Sequence, residues 1–150
     1  MIGGGQLARM TAAPADQLGV PFLVLAEASD ASAAQVARHV VGDHTDLDDL
    51  RAFAQTVDVI TFDHEHVPTA HLQALEAEGV AVRPGPAALR YAQDKLQMRA
   101  AVERLGLPNP AWSPVEDLEA VLAFGDAHGW PMILKTPRGG YDGKGVVKLD

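Results

Sequence analysis

At 150 residues, with 47% hydrophobic and 21% charged side chains, the chain carries enough apolar material for one medium domain or two small ones. A net charge of -8 argues against a nucleic-acid surface, which needs clustered Lys and Arg, but still permits a local basic pocket. The absence of cysteine excludes disulfide and thiolate chemistry and fits a cytoplasmic protein. No apolar run reaches the roughly 18 residues of a membrane span, and no signal-peptide pattern opens the chain.

In chain order, MIGGGQLARM places three glycines immediately before residues 6–19, which read as a helix stopped by Gly19 and kinked or shortened by Pro14. The abrupt start leaves only Met1 and Ile2 of the strand that such a βα turn needs, so strand residues are expected upstream. PFLVLA (21–26) is a compact apolar run of the kind that forms a buried parallel strand. Ala-rich ASAAQVA then leads into HVVGD, a short strand or turn. Residues 46–56 start as a helix, with Thr45 or Asp46 as N-cap and acidic residues in the first turn. VDVITF (57–62) reads as a strand, 68–79 as a helix entered at Pro68 and left at Gly79, and VAVRPG (80–85) as another strand. This alternation predicts an open parallel sheet with helices on both faces.

The texture changes after Pro84. Two helical stretches without a strand lead to PNPAWSP (108–114), a linker; 116–129 reads as a helix, and PMILKTP and VVKLD as strands around RGGYDGKG. The expected organisation is an α/β domain over 1–85, a helical linker region over 86–112, and over 113–150 a helix plus hairpin too small to bury a core alone.

Three stretches carry chemistry. Gly3-Gly4-Gly5-Gln6-Leu7-Ala8 fits G-x-G-x-x-A opening a helix, which turns backbone amides toward an anion; Glu27, after the next strand, sits where an acid would grip a ribose hydroxyl. Taken alone this suggests a nicotinamide-dependent oxidoreductase, or a tight turn that needs glycine for packing. Arg9 reads as a phosphate contact or as a solvated helix charge. LKTPRGGYDGKG combines a strand lysine, Lys135, with a basic glycine-rich turn. Such a turn can cover a triphosphate or be a plain surface hairpin, and it lacks the ending of a P-loop. In TFDHEHVP (61–68) an extended chain would put Asp63 and Glu65 on one face and His64 and His66 on the other, which splits a metal set. Its place at a strand's carboxyl end favours a substrate contact by Glu65; a carboxylate capping the helix at Pro68 is the bland alternative.

With GGGQLARM, TFDHEHVP, QDKLQMR and LKTPRGGYDGKG in this order, the chain resembles the ATP-grasp superfamily. Within it, the resemblance is to the N5-carboxyaminoimidazole ribonucleotide synthetase family of purine biosynthesis. The resemblance implies a Rossmann-like pre-ATP-grasp domain that does not bind NAD, followed by the start of an ATP-grasp domain. It implies a ligase that uses ATP, Mg2+ and bicarbonate to carboxylate 5-aminoimidazole ribonucleotide through carboxyphosphate, and a homodimer. A formate-dependent glycinamide ribonucleotide transformylase is the nearest alternative. By position, Gly5, Gln6 and Leu7 match the loop near the substrate's ribose phosphate and Glu65 a substrate contact. Lys95 matches an ATP-contacting position and Lys135 the lysine reaching the α/β-phosphates. Gly139, Gly140, Tyr141, Asp142, Gly143, Lys144 and Gly145 match the phosphate-covering loop. Asp63 stands where that family has Glu, and Val146 where it often has Gln. The family's magnesium carboxylates and adenine pocket would follow residue 150, so these residues alone are not expected to turn over substrate.

Overall fold

The computed structural model describes residues 1–140 and 143–150. The chain divides into two compact units, Met1–Leu89 and Arg90–Asp150.

The first unit is built on a parallel sheet. β1 (Leu23–Ala26) pairs with β2 (Arg38–Val41) in the register Leu23↔Arg38 to Ala26↔Val41. On the other side of β1, Ile2 bridges in parallel to Leu25 and also to Phe62, and Ile60 bridges in parallel to Val82. Counting these segments as strands, the spatial order is β2, β1, Ile2, 60–62, 82, which is the 3-2-1-4-5 order of a Rossmann-like sheet. The runs at 57–62 and 80–85 are shorter as strands than their sequence suggests. Pairing is confined to the layer where Ile60 accepts from the Arg83 N–H and donates to Ala81 O, each at 2.8 Å.

Helices cover both faces, as the alternation predicts. The helix α1 (Gln6–Gln17) and the 3₁₀ turn Ala33–Gln35 lie on one face, where Ala8, Val24, Ala26 and Ala33 pack together. The small side chains there let α1 approach the sheet closely. On the other face Ile2, Leu25, Leu50, Phe53, Ile60, Val67, Leu72, Leu75 and Val82 form the main core. It is roofed by α2 (Leu47–Ala54) and α3 (Thr69–Ala77). The strict alternation of β1, with Val24 and Ala26 to one side and Leu25 to the other, is what allows a two-sided core. Asp46 caps α2, its carboxylate accepting from the Asp48 and Asp49 N–H groups. α1 continues through Pro14 to Gln17, so the proline does not shorten it to that point.

The division between the units falls within α4 (Pro86–Gln93). The second unit contains α5 (Lys95–Arg104), α6 (Leu118–His128) and a hairpin of β3 (Met132–Lys135) with β4 (Val146–Leu149). The hairpin is antiparallel, running from Met132↔Leu149 to Lys135↔Val146. Arg99 and Asn109 exchange hydrogen bonds of 2.7 and 3.1 Å, which fasten the proline-rich stretch to α5. Gly125 is needed where the Trp130 ring lies on α6: a Cβ there would stand 2.1 Å from the indole. Ile133 and Val147 remain about half exposed.

Phe53 is 2% exposed at the centre of the main core. Phe53→Ala should lower the unfolding free energy of the first unit by about 3–5 kcal/mol, read as a reduced denaturant midpoint at unchanged slope.

Candidate functional site

The carboxyl ends of β1, β2 and the 60–62 segment open on the same side as the amino end of α1, which is where an open α/β sheet presents ligands. Gly3 makes this convergence possible. Its φ is +106°, and a Cβ would lie 1.9 Å from Asp63 Oδ1. Gly4 is equally confined, since a Cβ would come within 2.9 Å of Ala26 Cβ and Glu27 Oε2. The glycines therefore leave room for two carboxylates.

Asp63 closes the turn from the opposite side. Its Oδ2 accepts from the Ala8 N–H at 3.1 Å, within the first turn of α1. Gly5, the N-cap of α1, offers no side-chain cap, so a carboxylate 55 residues away performs that task. One carboxylate of TFDHEHVP, Asp63, thus serves as a cap for α1. With Ala8 occupied, Gln6 and Leu7, which have no intrahelical acceptors, keep their amides at the exposed end. Gln6 Oε1 accepts from Ser32 Oγ at 3.2 Å. Arg9 donates to Ser32 O and to Gln35 Oε1, which ties α1 to the 3₁₀ turn.

The extended alternation expected for residues 63–66 does not hold. Strand pairing ends at Phe62, and beyond it the chain bends, so Asp63 and His64 come to the same place. The His64 ring sits 4.7 Å from that of His44 and 5.3 Å from that of His66. Glu65 lies beside His66, with Oε1 3.5 Å from Nε2. His44, on the loop after β2, is a member that sequence reasoning missed; its signal is only its position just past the carboxyl end of a parallel strand.

Glu27 joins this group. Its Oε2 accepts from the Gly4 N–H at 3.2 Å, and its Oε1 stands 3.9 Å from both His44 Nδ1 and His64 Nε2. One atom from each of the three side chains lies within 4.8 Å of the others. A metal is nonetheless a poor fit. Tetrahedral zinc with bonds of about 2.0–2.2 Å would hold its ligands roughly 3.3–3.6 Å apart, closer than these atoms stand. The His66 N–H also donates to His64 Nδ1 at 3.1 Å, so the neutral ring carries its proton on Nε2, the atom a metal would need bare. Burial, reinforced by the neighbouring His44, holds the His64 imidazole below its usual pKa and in the neutral form.

In the second unit the glycine-rich turn is drawn onto the start of α5. Asp94 caps α5 through Oδ1, which accepts from the Leu96 and Gln97 N–H groups at 3.0 and 3.1 Å. Its Oδ2 accepts from Arg138 Nε at 3.2 Å. The Gln97 amide foremost, followed by further hydrogen bonds that include Arg138, holds the Asp94 carboxyl below its usual pKa. The Lys95 N–H donates to Pro137 O at 2.9 Å and Lys95 Nζ to Gly139 O at 2.6 Å. Thr136 N–H donates to Gly145 O at 2.9 Å and closes the base of the turn. Gly140, at φ +75°, leaves no room for a side chain, because a Cβ would stand 2.6 Å from Lys144 O. Tyr141 and Asp142 lie outside the described residues. Beside this turn a cavity of about 840 Å³ is lined by Lys95, Met98, Trp112, Phe124, Met132 and Lys135 among others. It offers an apolar bed with lysines at its rim. Asp94, which joins Arg138 in shaping the turn, was not singled out from the sequence, although D-x-x-Q at the start of a helix is a legible cap.

Residues 1–93 match the family model described as the ribonucleotide synthetase preATP-grasp domain. The chain belongs to that family. The N5-carboxyaminoimidazole ribonucleotide synthase of Mycobacterium leprae is 52% identical over 97% of this chain, which spans 35% of that protein. Among solved structures, the ADP complex of an N5-carboxyaminoimidazole ribonucleotide synthetase matches with a TM-score of 0.88 at 35% identity. That match covers 99% of this chain and 39% of the other. The Aspergillus clavatus synthase in complex with ADP and 5-aminoimidazole ribonucleotide matches with a TM-score of 0.84 at 29% identity, covering 99% of this chain and 40% of that one. The chain therefore spans about a third of the length of the curated relative, and its α/β fold is the pre-ATP-grasp one that the motifs imply.

His64 gives a pH test of the bend. Its depressed pKa means that the unfolded chain takes up the proton first as pH falls through the ordinary value of 6.5. The associated stability is present above that value and is lost on acidification through it. Denaturant melts at about pH 7.5 and about pH 5.5 should show a loss for the native protein that is smaller in His64→Gln.

Proposed function

We propose that this chain forms the substrate-binding and phosphate-loop portion of an ATP-dependent ligase that carboxylates 5-aminoimidazole ribonucleotide with bicarbonate. The observation that carries this reading is the match of 99% of the chain to the A. clavatus synthase, whose structure holds both ADP and 5-aminoimidazole ribonucleotide. ATP phosphorylates bicarbonate to carboxyphosphate with release of ADP. The ribonucleotide amine then takes the carboxyl group, and phosphate leaves.

In this reading the exposed amides of Gly5, Gln6 and Leu7 receive the ribose phosphate at the positive end of α1, and Glu65 contacts the substrate. Lys135 and Lys95 neutralise the nucleotide phosphates, and Gly139, Gly140, Gly143, Lys144 and Gly145 fold over them, with Tyr141 and Asp142 assigned to the same loop. Mg2+ would neutralise phosphate oxygens, but the residues described here do not supply its site. Their one group of three candidate ligands contains two imidazoles, whereas Mg2+ takes oxygen, so no step is routed through the metal. The homodimer implied by the resemblance, and the cytoplasmic location that the absence of cysteine fits, belong to the same reading. Sedimentation of the intact protein tests the dimer.

The intact enzyme should form ADP only when both bicarbonate and 5-aminoimidazole ribonucleotide are present; ADP formation indifferent to either would refute the assignment. Lys135→Ala should raise the ATP requirement by about 10- to 100-fold, the equivalent of about 1.5–3 kcal/mol for a charge-assisted hydrogen bond. Glu65→Ala should raise the KM for the ribonucleotide and leave that for ATP nearly unchanged, as steady-state kinetics would register.

A further inference from the structure

The first arm of the glycine-rich turn is tied to the start of α5 by three hydrogen bonds. The Lys95 N–H donates to Pro137 O at 2.9 Å, Arg138 Nε to Asp94 Oδ2 at 3.2 Å, and Lys95 Nζ to Gly139 O at 2.6 Å. The second arm is held by the hairpin itself. The Thr136 N–H donates to Gly145 O, and the Thr136 hydroxyl leaves no room for a Cβ at Gly140 or Gly145. Asp94 is the fixed member of the ion pair. Its side chain is 12% exposed against 69% for Arg138, and its Oδ1 is committed to the Leu96 and Gln97 N–H groups.

We propose that Arg138 is a positioning residue for nucleotide binding: its pair with Asp94 keeps the first arm of the turn on α5 when the Lys95 ammonium leaves Gly139 O for a phosphate. The assignment rests on the nucleotide reading above and extends it to two residues to which the motif correspondence gives no role.

Two acceptors compete for one ammonium. Lys95 Nζ donates to Gly139 O, and the same group is the one assigned to a nucleotide phosphate. An anionic phosphate oxygen is a stronger acceptor than a neutral carbonyl, so the Gly139 bond is the one given up. The arm is then held by the Lys95 backbone bond to Pro137 O and by the Arg138 pair, neither of which uses the ammonium. Without Arg138, part of the nucleotide's binding energy goes to ordering the arm, where Gly139 and Gly140 sit at φ +64° and +75° and lose much backbone freedom when fixed. That loss falls on affinity, because the turn is closed once the nucleotide is bound. Asp94→Asn separates this role from the helix cap. An asparagine carbonyl still accepts from the Leu96 and Gln97 N–H groups, whereas its NH2 replaces the oxygen that accepts from Arg138.

The test is calorimetric binding of ADP to the intact protein, with steady-state kinetics for both substrates alongside. Arg138→Ala and Asp94→Asn should each weaken ADP about 3- to 10-fold, a moderate loss because the Arg138 side of the pair is exposed. Each should raise the KM for ATP by a similar factor, with a smaller effect on kcat and none on the KM for the ribonucleotide. Arg138→Lys, which keeps a cation within reach of Asp94 Oδ2, should recover most of the loss. The double variant should bind no more weakly than the poorer single one. If Asp94→Asn fails to fold, as a thermal melt would reveal, Arg138→Ala and Arg138→Lys read the same effect. Unchanged ADP affinity in folded Arg138→Ala overturns the proposal, as do losses that add in the double variant. A folded native protein that binds no ADP instead overturns the nucleotide reading, and this inference with it.

Discussion

Ile2 is the residue around which the first unit is assembled. It is fully buried and bridges in parallel to Leu25 on one side and to Phe62 on the other, so it stands at the middle of the sheet. Its N–H donates to Thr61 O at 2.7 Å, the next residue's N–H donates to Leu25 O at 2.9 Å, and the Asp63 N–H returns to Ile2 O. These three bonds bring the ends of two distant strands to the glycine turn. Gly3 has no side chain where a side chain would collide, and Asp63 reaches through that opening to the first turn of α1. The ligand-facing edge is a consequence of this arrangement.

The edge concentrates negative charge next to a helix amino terminus. Asp63 is compensated by the Ala8 N–H and the helix dipole, and Glu27 by the Gly4 N–H. Each carboxylate thus spends one oxygen on a backbone N–H of the glycine turn or of α1. His64 stands between them, its pKa held below the usual value by burial.

The second unit follows a different principle. Asp94 joins the cap of α5 to Arg138 at the glycine-rich turn, and Lys95 holds that turn by both its backbone and its ammonium group. The turn's shape is therefore set by the start of a helix more than 40 residues earlier. Positive charge on Lys95 and Lys135 borders an apolar cavity.

Local signals determined most of the element order. Apolar runs, the Asp46 cap, Gly79 and Gly129 after their helices and the Pro-rich stretch all act within a few residues and were legible directly. The two glycine-rich loops were legible for the same reason, since a turn that needs positive φ or close backbone approach must be written in glycine. What only the tertiary structure decided is which side chains meet. Asp63, a departure from the motif's usual Glu, caps α1. His64 and His66, expected on the face opposite Asp63 and Glu65, come together with them because strand pairing stops at Phe62. His44 carries no local mark at all. A cap within one helix is read at a spacing of two or three residues, whereas the meeting of Gly4, Glu27, His44 and His64 depends on the register of four parallel strands, which no single stretch of sequence encodes.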